Sequence, residues 1–290
     1  MRVKCANCGM IYDINSSSME TRTEAERLSG AVCPKCRSNA RCVNHIVGFS
    51  GGIASAVMAK IVADKFPDTT ILLYHSTNTE PADNDRFRSE VASYIGLPIT
   101  EDSDGRDIWQ VFDDERFLGS GRNTPCSRIL KQERSLRYLK ANQPAVIYIG
   151  FTLDEYRRAQ RVFARYAKYD LEAKFPLIDQ KITKEECMYR VINCWGITPP
   201  AIYSWAEHAN CIPCVKGKKA YWGLIYMFER AAWNKANQAE KDFKRRIFTE
   251  GDGLEDELEN CLRLAKLYLA NKKNKESQMN LFEYPCECAV

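Results

Sequence analysis

Histidine is nearly absent from this chain: His45, His75 and His208 are the only three in 290 residues. That argues against a histidine-rich catalytic zinc site, because such sites draw several imidazoles to one ion. Long apolar runs are missing too. None approaches the ~18 residues that a membrane-spanning helix needs, so no membrane partner is expected. The N-terminus reads MRVKCANCG with no apolar core behind it. That argues against a secretory signal and makes the cytoplasm the expected compartment. Strong net charge is also lacking, since 42 basic and 38 acidic residues leave only +4. The hydrophobic content of 45% is that of an ordinary globular protein, with enough chain for one full-sized domain and smaller attachments.

Cysteine, by contrast, is abundant, at 13 residues. In a reducing compartment disulfides are disfavoured, so clustered cysteines point to metal or catalysis. Cys5-x-x-Cys8 and Cys33-x-x-Cys36 form two pairs separated by a loop. Each pair offers two thiolates to one tetrahedral ion, and zinc is the usual occupant, with a rubredoxin-type iron site as the competitor. Zinc would supply the folding energy that so small a module cannot draw from a core. Residues 1–44 thus read as a four-cysteine, zinc-ribbon-like module.

Charge is balanced overall but uneven locally. Arg157, Arg158, Arg161, Arg165 and Lys168 share one short stretch free of acids, Lys216, Lys218 and Lys219 form a second cluster, and Lys244, Arg245 and Arg246 a third. Such patches suit phosphate-rich ligands; the plainer reading is solvated helix faces.

From His45 the character changes. HIVGFS, TILLYH (70–75) and AVIYIG (145–150) are short apolar runs that read as buried strands. Helical spacing runs over 54–65, 83–95 and 126–141, and Thr183 caps a further helix with Glu186 at the capping-box position. This alternation predicts an α/β fold, a parallel sheet with helices on both faces, over residues 45–220. Residues 221–290 read as a helical C-terminal region with a cysteine-containing tail. Its aromatics, Tyr221, Trp222, Tyr226, Phe228 and Trp233, read as core packing rather than base-stacking groups.

Ser50-Gly51-Gly52-Ile53-Ala54-Ser55 joins the first of these strands to a helix. Two glycines let backbone approach a ligand closely, the helix start presents free N–H groups and partial positive charge, and Ser50 and Ser55 add hydroxyls. Together they make an anion cradle.

At this loop the sequence resembles the PP-loop superfamily, in its branch like phosphoadenosine phosphosulfate (PAPS) reductase. The usual loop there is SGGKDS; this chain has SGGIAS, without the lysine and aspartate. His75 to Pro81 follows the second strand where the family carries a nucleotide-side loop, and Glu80 lies in it. Pro125-Cys126-Ser127-Arg128 with Lys131 resembles the Cys-Cys-x-x-Arg-Lys region of sulfonucleotide reductases, with Ser127 in place of one cysteine. Gly150 to Arg158, including Glu155, is similar to the Gly-x-Arg-x-x-Glu-Ser-x-x-Arg segment, and Phe175 to Pro200 follows the branch's PLxxW…GIxxP pattern.

The resemblance implies an adenine nucleotide ligand, ATP or PAPS or adenylyl sulfate (APS), with Mg2+ alongside ATP. Its phosphates and base would be held by Ser50, Gly51, Gly52, Ser55, His75, Glu80, Gly150, Glu155 and Arg158. It also implies that Cys126 joins Cys211-Ile-Pro-Cys214 to hold a [4Fe–4S] cluster, with zinc or an unligated redox pair as alternatives. The fourth ligand is left open among Cys187, Cys194, Cys286 and Cys288. Cys42 and Cys261 read as small buried hydrophobes.

Three functions follow. The first is ATP-dependent adenylation coupled to sulfur transfer from a sulfur donor onto a nucleic-acid (tRNA or DNA) or small-molecule acceptor. The second is a PAPS or APS reductase in which Cys288 is the nucleophile, a thiol is the reductant, and Cys126, Arg128 and Lys131 belong to the catalytic region. Glu287-Cys288 shares only its Glu-Cys pair with the reductases' terminal motif. The third is a non-catalytic nucleotide- or nucleic-acid-binding protein.

The ribbon is open to direct measurement. Metal analysis of the purified chain is expected to return tetrahedrally bound zinc, and Cys5→Ser combined with Cys33→Ser to abolish it. Zinc that survives both changes would place the ion elsewhere.

Overall fold

The computed structural model describes residues 2–4, 11–13 and 43–279. Near the N-terminus β1 (Arg2–Lys4) and β2 (Ile11–Asp13) pair antiparallel, with Val3 opposite Tyr12. Cys5, Cys8, Cys33, Cys36 and Cys42 lie outside the described residues, as do Cys286 and Cys288.

The main sheet is fully parallel. It contains β3 (Asn44–Gly48), β4 (Thr70–Tyr74), β5 (Ile99–Glu101), β6 (Ala145–Tyr148) and β7 (Glu172–Lys174), in the order β5-β4-β3-β6-β7. The central three are the apolar runs. Their side chains alternate between faces, as the strand period of two requires. Val47, Leu72 and Val146 enter one core cluster, while Ile46, Leu73 and Ile147 enter another on the opposite face. The edge strands β5 and β7 are three residues each and carry Glu101, Glu172 and Lys174, too short and polar for periodicity to reveal.

Helices cover both faces. α1 (Ile53–Lys65) and α2 (Asp83–Ile95) pack in the cluster with Phe49, Met58 and Phe87, each at most 1% exposed. α2 stops at Gly96, which is left-handed at φ 78°. The other face is covered by α4 (Arg134–Ala141) and α5 (Tyr156–Ala167), through Leu139 and Tyr166. α6 (Lys184–Tyr189) begins where Thr183 accepts the Glu186 N–H at 3.1 Å, as its sequence predicts.

The predicted helix 126–141 differs in one respect. A single turn at Pro125–Ser127 passes into a π-helical stretch, Arg128–Glu133, before regular α4 begins. Widened helical turns of this kind recur at functional sites because they re-aim side chains.

A third core joins distant parts of the chain. α3 (Ile108–Glu115), Ile129 and Leu130 share it with α7 (Lys219–Phe228), α8 (Arg230–Phe243) and Cys261 of α9 (Leu258–Met279). Trp222 is its largest fully buried member. Trp222, Trp233, Tyr221 and Tyr226 of the aromatic stripe are therefore packing, as the helical spacing predicts, whereas Phe228 is 46% exposed; Cys261 is a buried hydrophobe at 1% exposure. No described helix is long and apolar enough to cross a membrane.

Glu240 organises the turn between α8 and α9. Its carboxylate accepts the N–H of Ile247 at 2.6 Å and of Leu254 at 2.7 Å. Truncation would orphan two buried donors, each costing about 1–3 kcal/mol. Glu240→Ala is expected to lower unfolding free energy by roughly 2–4 kcal/mol in a denaturant titration. Burial holds this carboxyl above its ordinary 4.5. The folded state thus keeps the proton to higher pH than the unfolded chain, so this group's contribution to stability falls as pH rises from about 4.5 through its folded value. The Ala variant should lose that slope.

Candidate functional site

β3 is flanked by β4 on one side and β6 on the other, both parallel to it. The chain leaves β3 towards β4 and reaches β6 only later, so connections diverge at the β3–β6 boundary. In parallel sheets such a divergence marks the crevice outside the carboxyl ends of the strands where ligands usually bind. Ser50 to Ser55 enters it from β3 and Gly150 from β6. Gly150 abuts the first turn of α1, where a Cβ would come within 2.9 Å of the Ala54 carbonyl oxygen.

Gly51 is left-handed at φ 80°, and Gly52 is the extended residue preceding α1. The serine hydroxyls differ from their expected disposition. Ser55 donates to the Gly52 carbonyl at 2.7 Å, and Ser50 donates to Ser55 at 3.2 Å, so both are turned into the loop. The Ile53 N–H, the first amide of α1, donates to the Tyr203 hydroxyl at 3.1 Å. Tyr203 thus occupies one donor of the cradle, and nothing in the sequence around it signals that position.

Motif reading missed two further residues on α2, of which Arg88 lies against the loop. Asn84 and Arg88 are four residues apart on α2, hence on one face, and are 0% and 3% exposed. Arg88 stacks 3.7 Å over the Tyr74 ring and pairs with Asp85, and a Cβ on Gly51 would meet its Nη1 at 2.9 Å. Its Nη1 and both side-chain polar atoms of Asn84 are buried without a hydrogen-bond partner. Buried orphans are costly, which makes such groups candidates for ligand contact. Arg88 places a positive charge beside a loop that lacks its own lysine. The available signal was negative: a cation missing from the motif has to come from another element.

The loop after β4 is tightly tied. His75 bonds the Asp102 carbonyl through Nδ1 at 2.7 Å and the Ser135 hydroxyl through Nε2 at 2.8 Å. Burial lowers its pKa from 6.5. Both ring nitrogens thus serve the fold. Glu80, 7% exposed, accepts the Thr77 N–H at 3.0 Å and lies 3.5 Å from Lys131.

The cysteines meet this loop. Thr77 Oγ1 lies 3.0 Å from Cys211 Sγ, and the Ile212 N–H donates to the Thr79 carbonyl at 2.7 Å. Tyr221 closes the Cys211–Cys214 turn by donating to the Cys211 carbonyl and accepting the Cys214 N–H, both at 2.9 Å. Burial, with the charges of Cys211 and Cys214, pushes the Cys126 thiol up to about 12. Burial and Cys211 likewise raise Cys214. Against the opposing pull of burial, Cys211 and Glu80 raise the Lys131 pKa. Lys216 donates to Ser127 at 3.1 Å, and its pKa is lowered by burial and by Arg158.

Cys126, Cys211, Cys214, Lys131, Glu80 and Lys216 are therefore one neighbourhood. Arg128 points out of it, to Glu115 at 2.7 Å and Glu133 at 2.8 Å. Glu155 pairs with Arg158 at 2.8 Å, and Arg158 stacks 4.6 Å over Phe151, beside Gly150. Cys187 stands apart, fully buried in the core beneath α1. Among the described residues no group of three or more His, Cys, Asp or Glu side chains is gathered tightly enough for a metal ion.

Arg88→Gln is expected to weaken binding of pyrophosphate or ATP at least tenfold, as a charge-assisted hydrogen bond worth ~1.5–3 kcal/mol is lost. Binding of adenosine, which has no phosphate, should be unchanged in the same calorimetric titration. Equal losses for both would mark Arg88 as structural.

The comparisons agree with this geometry. No curated protein matches the chain. Residues 44–183 match the family model of the phosphoadenosine phosphosulfate reductase domain, a stretch that runs from β3 to the cap of α6. This stretch, just under half of the chain, is thus similar to the phosphoadenosine phosphosulfate reductase domain.

Proposed function

We propose that this chain uses ATP to adenylate an acceptor, releasing pyrophosphate, and that the activated acceptor then takes up sulfur. The observation that carries this reading is the docking of the Cys211–Cys214 turn onto the loop Thr77–Glu80, beside the glycine loop. It brings thiol chemistry to the nucleotide crevice.

In the first step an acceptor oxygen attacks the α-phosphorus and the bond to the β-phosphate breaks. The amides at Gly51, Gly52 and the start of α1 would hold the β,γ-phosphates, with Mg2+ accompanying ATP. Tyr203 must yield the Ile53 N–H for that purpose. Arg88 and Lys131 would offset the charge of the leaving pyrophosphate, in a partly desolvated site where such charges act strongly. In the second step a sulfur nucleophile from a donor attacks the adenylated carbon, and AMP leaves with the oxygen.

Cys126, Cys211 and Cys214 would hold a [4Fe–4S] cluster, which would supply an open iron for sulfur. What supports this is the donor chemistry: three thiols that feel one another's charge, and thiolates are the ligands such clusters take.

The second reading is a PAPS or APS reductase, favoured by the description of the matched family. There a cysteine thiolate attacks the sulfate sulfur, the adenosine phosphate leaves, and a thiol resolves the thiosulfonate to sulfite. Its nucleophile would be Cys288.

Calorimetry on anaerobically purified protein separates the two. Mg-ATP is expected to bind in preference to PAPS and APS, and Cys288→Ser to leave ATP binding unchanged. Preferential binding of PAPS or APS, with sulfite formation lost in Cys288→Ser, would overturn the adenylation reading. Binding of ATP without pyrophosphate release on any acceptor would favour a non-catalytic protein.

A further inference from the structure

α5 turns nearly its whole circumference to solvent, with only Ala159 and Tyr166 buried. At about 100° per residue, Arg157, Arg161, Arg165 and the following Lys168 fall within an arc of roughly 80°. None of these four forms an ion pair with a described residue, and all are exposed. Tyr156 and Phe163 occupy the other flank of the exposed arc at 51% and 54% exposure, with Gln160, Ala164 and Ala167 between the two flanks. Leu153 and Tyr169, also half exposed, lie just before and just after the helix. A core-facing explanation fails for these groups, because the helix spends its buried stripe on Ala159, Val162 and Tyr166.

The helix also has a defined relation to the crevice. Its first turn contains Arg158, stacked on Phe151 beside Gly150, and the charge of Arg158 reaches Lys216 next to the cysteines. The cationic stripe therefore starts at the site and leads away from it by about 18 Å, at 1.5 Å per residue.

We infer that α5 is the docking track for a single-stranded nucleic acid, whose phosphates lie along the arginine stripe and whose bases stack on Tyr156 and Phe163. Unpaired arginines supply the phosphate contacts that dominate such affinity, and exposed aromatics supply sequence-tolerant stacking. The small residues between the flanks let a backbone lie close to the helix. A membrane surface fits less well, since an inserting helix needs a continuous apolar face and this one is already packed on the sheet. The inference rests on the proposed function only for its choice among acceptors; it selects the nucleic acid over the small molecule.

Fluorescence anisotropy of the full chain with a short labelled single-stranded RNA, the matching DNA strand and their duplexes tests it without nucleotide or turnover. Arg157→Gln, Arg161→Gln and Arg165→Gln together are expected to weaken single-strand binding at least tenfold. They should also lower the slope of log affinity against log salt by about 2, as three single-strand phosphate contacts would. Phe163→Ala should weaken binding about fivefold or more with the salt slope unchanged, the mark of stacking rather than charge. Mg-ATP affinity, read by calorimetry on the same variants, should be unaltered, so loss of ATP binding in the parent would count against the nucleotide reading alone. Unchanged affinity and slope in the triple variant, tighter binding to duplex than to single strands, or binding only to vesicles of anionic lipid would each overturn the inference.

Discussion

The site depends on β3 having a hydrogen-bonded neighbour on each side. A strand so held leaves the sheet along its own axis, and its exit falls where the connections to β4 and β6 part. Backbone amides at that exit have no strand partner, and the start of α1 adds its own free N–H groups. Chain geometry thus creates the anion-attracting point, and side chains refine it. Arg88 can pack so near only because residue 51 has no Cβ. Close backbone approach and buried charge are therefore one arrangement.

Around that point cationic side chains lie beside thiols and a carboxylate. Lys131 stands between the carboxylate of Glu80 and the thiol of Cys211, and Lys216 between Arg158 and the thiols of Cys126 and Cys214. Burial disfavours the ionised forms of Cys126, Cys214 and Lys216, whereas Lys131 keeps its charge against burial through Cys211 and Glu80. Changes at one member should propagate to the others, as in a coupled set of titrating groups.

Much of this was legible in the sequence. The buried strands announced themselves as apolar runs because both faces of a parallel sheet are covered, and the glycine pair between strand and helix marked the loop. Cys126, Cys211 and Cys214 were grouped by resemblance; their thiols feel one another's charge, but among the described residues they are not gathered tightly enough for a metal ion. β5 and β7 escaped because three-residue polar edges carry no periodicity. Asn84, Arg88 and Tyr203 escaped for a different reason. Arg88 and Tyr203 act on the loop from other elements, Asn84 is buried one turn from Arg88, and only tertiary packing shows that a buried arginine on α2 reaches Gly51. The inward turn of Ser50 and Ser55 was equally hidden, since hydroxyl direction depends on whichever partner is nearest. His75 read as a nucleotide-side residue, yet its hydrogen bonds tie β4 to Asp102 and Ser135.

The third core has a consequence for how this protein can be divided. Ile129 and Leu130, directly after Cys126, bury themselves against Trp222 and Trp233, which lie beyond the segment that matches the reductase domain. The wall of the crevice that carries the cysteines is thus built from two distant stretches of chain. A fragment ending with the matched segment would expose one half of a tryptophan-centred core and release the turn that holds Cys126. The smallest heritable unit of this site is accordingly larger than the domain that identifies it. Shuffling the domain between proteins would require the C-terminal helices to travel with it.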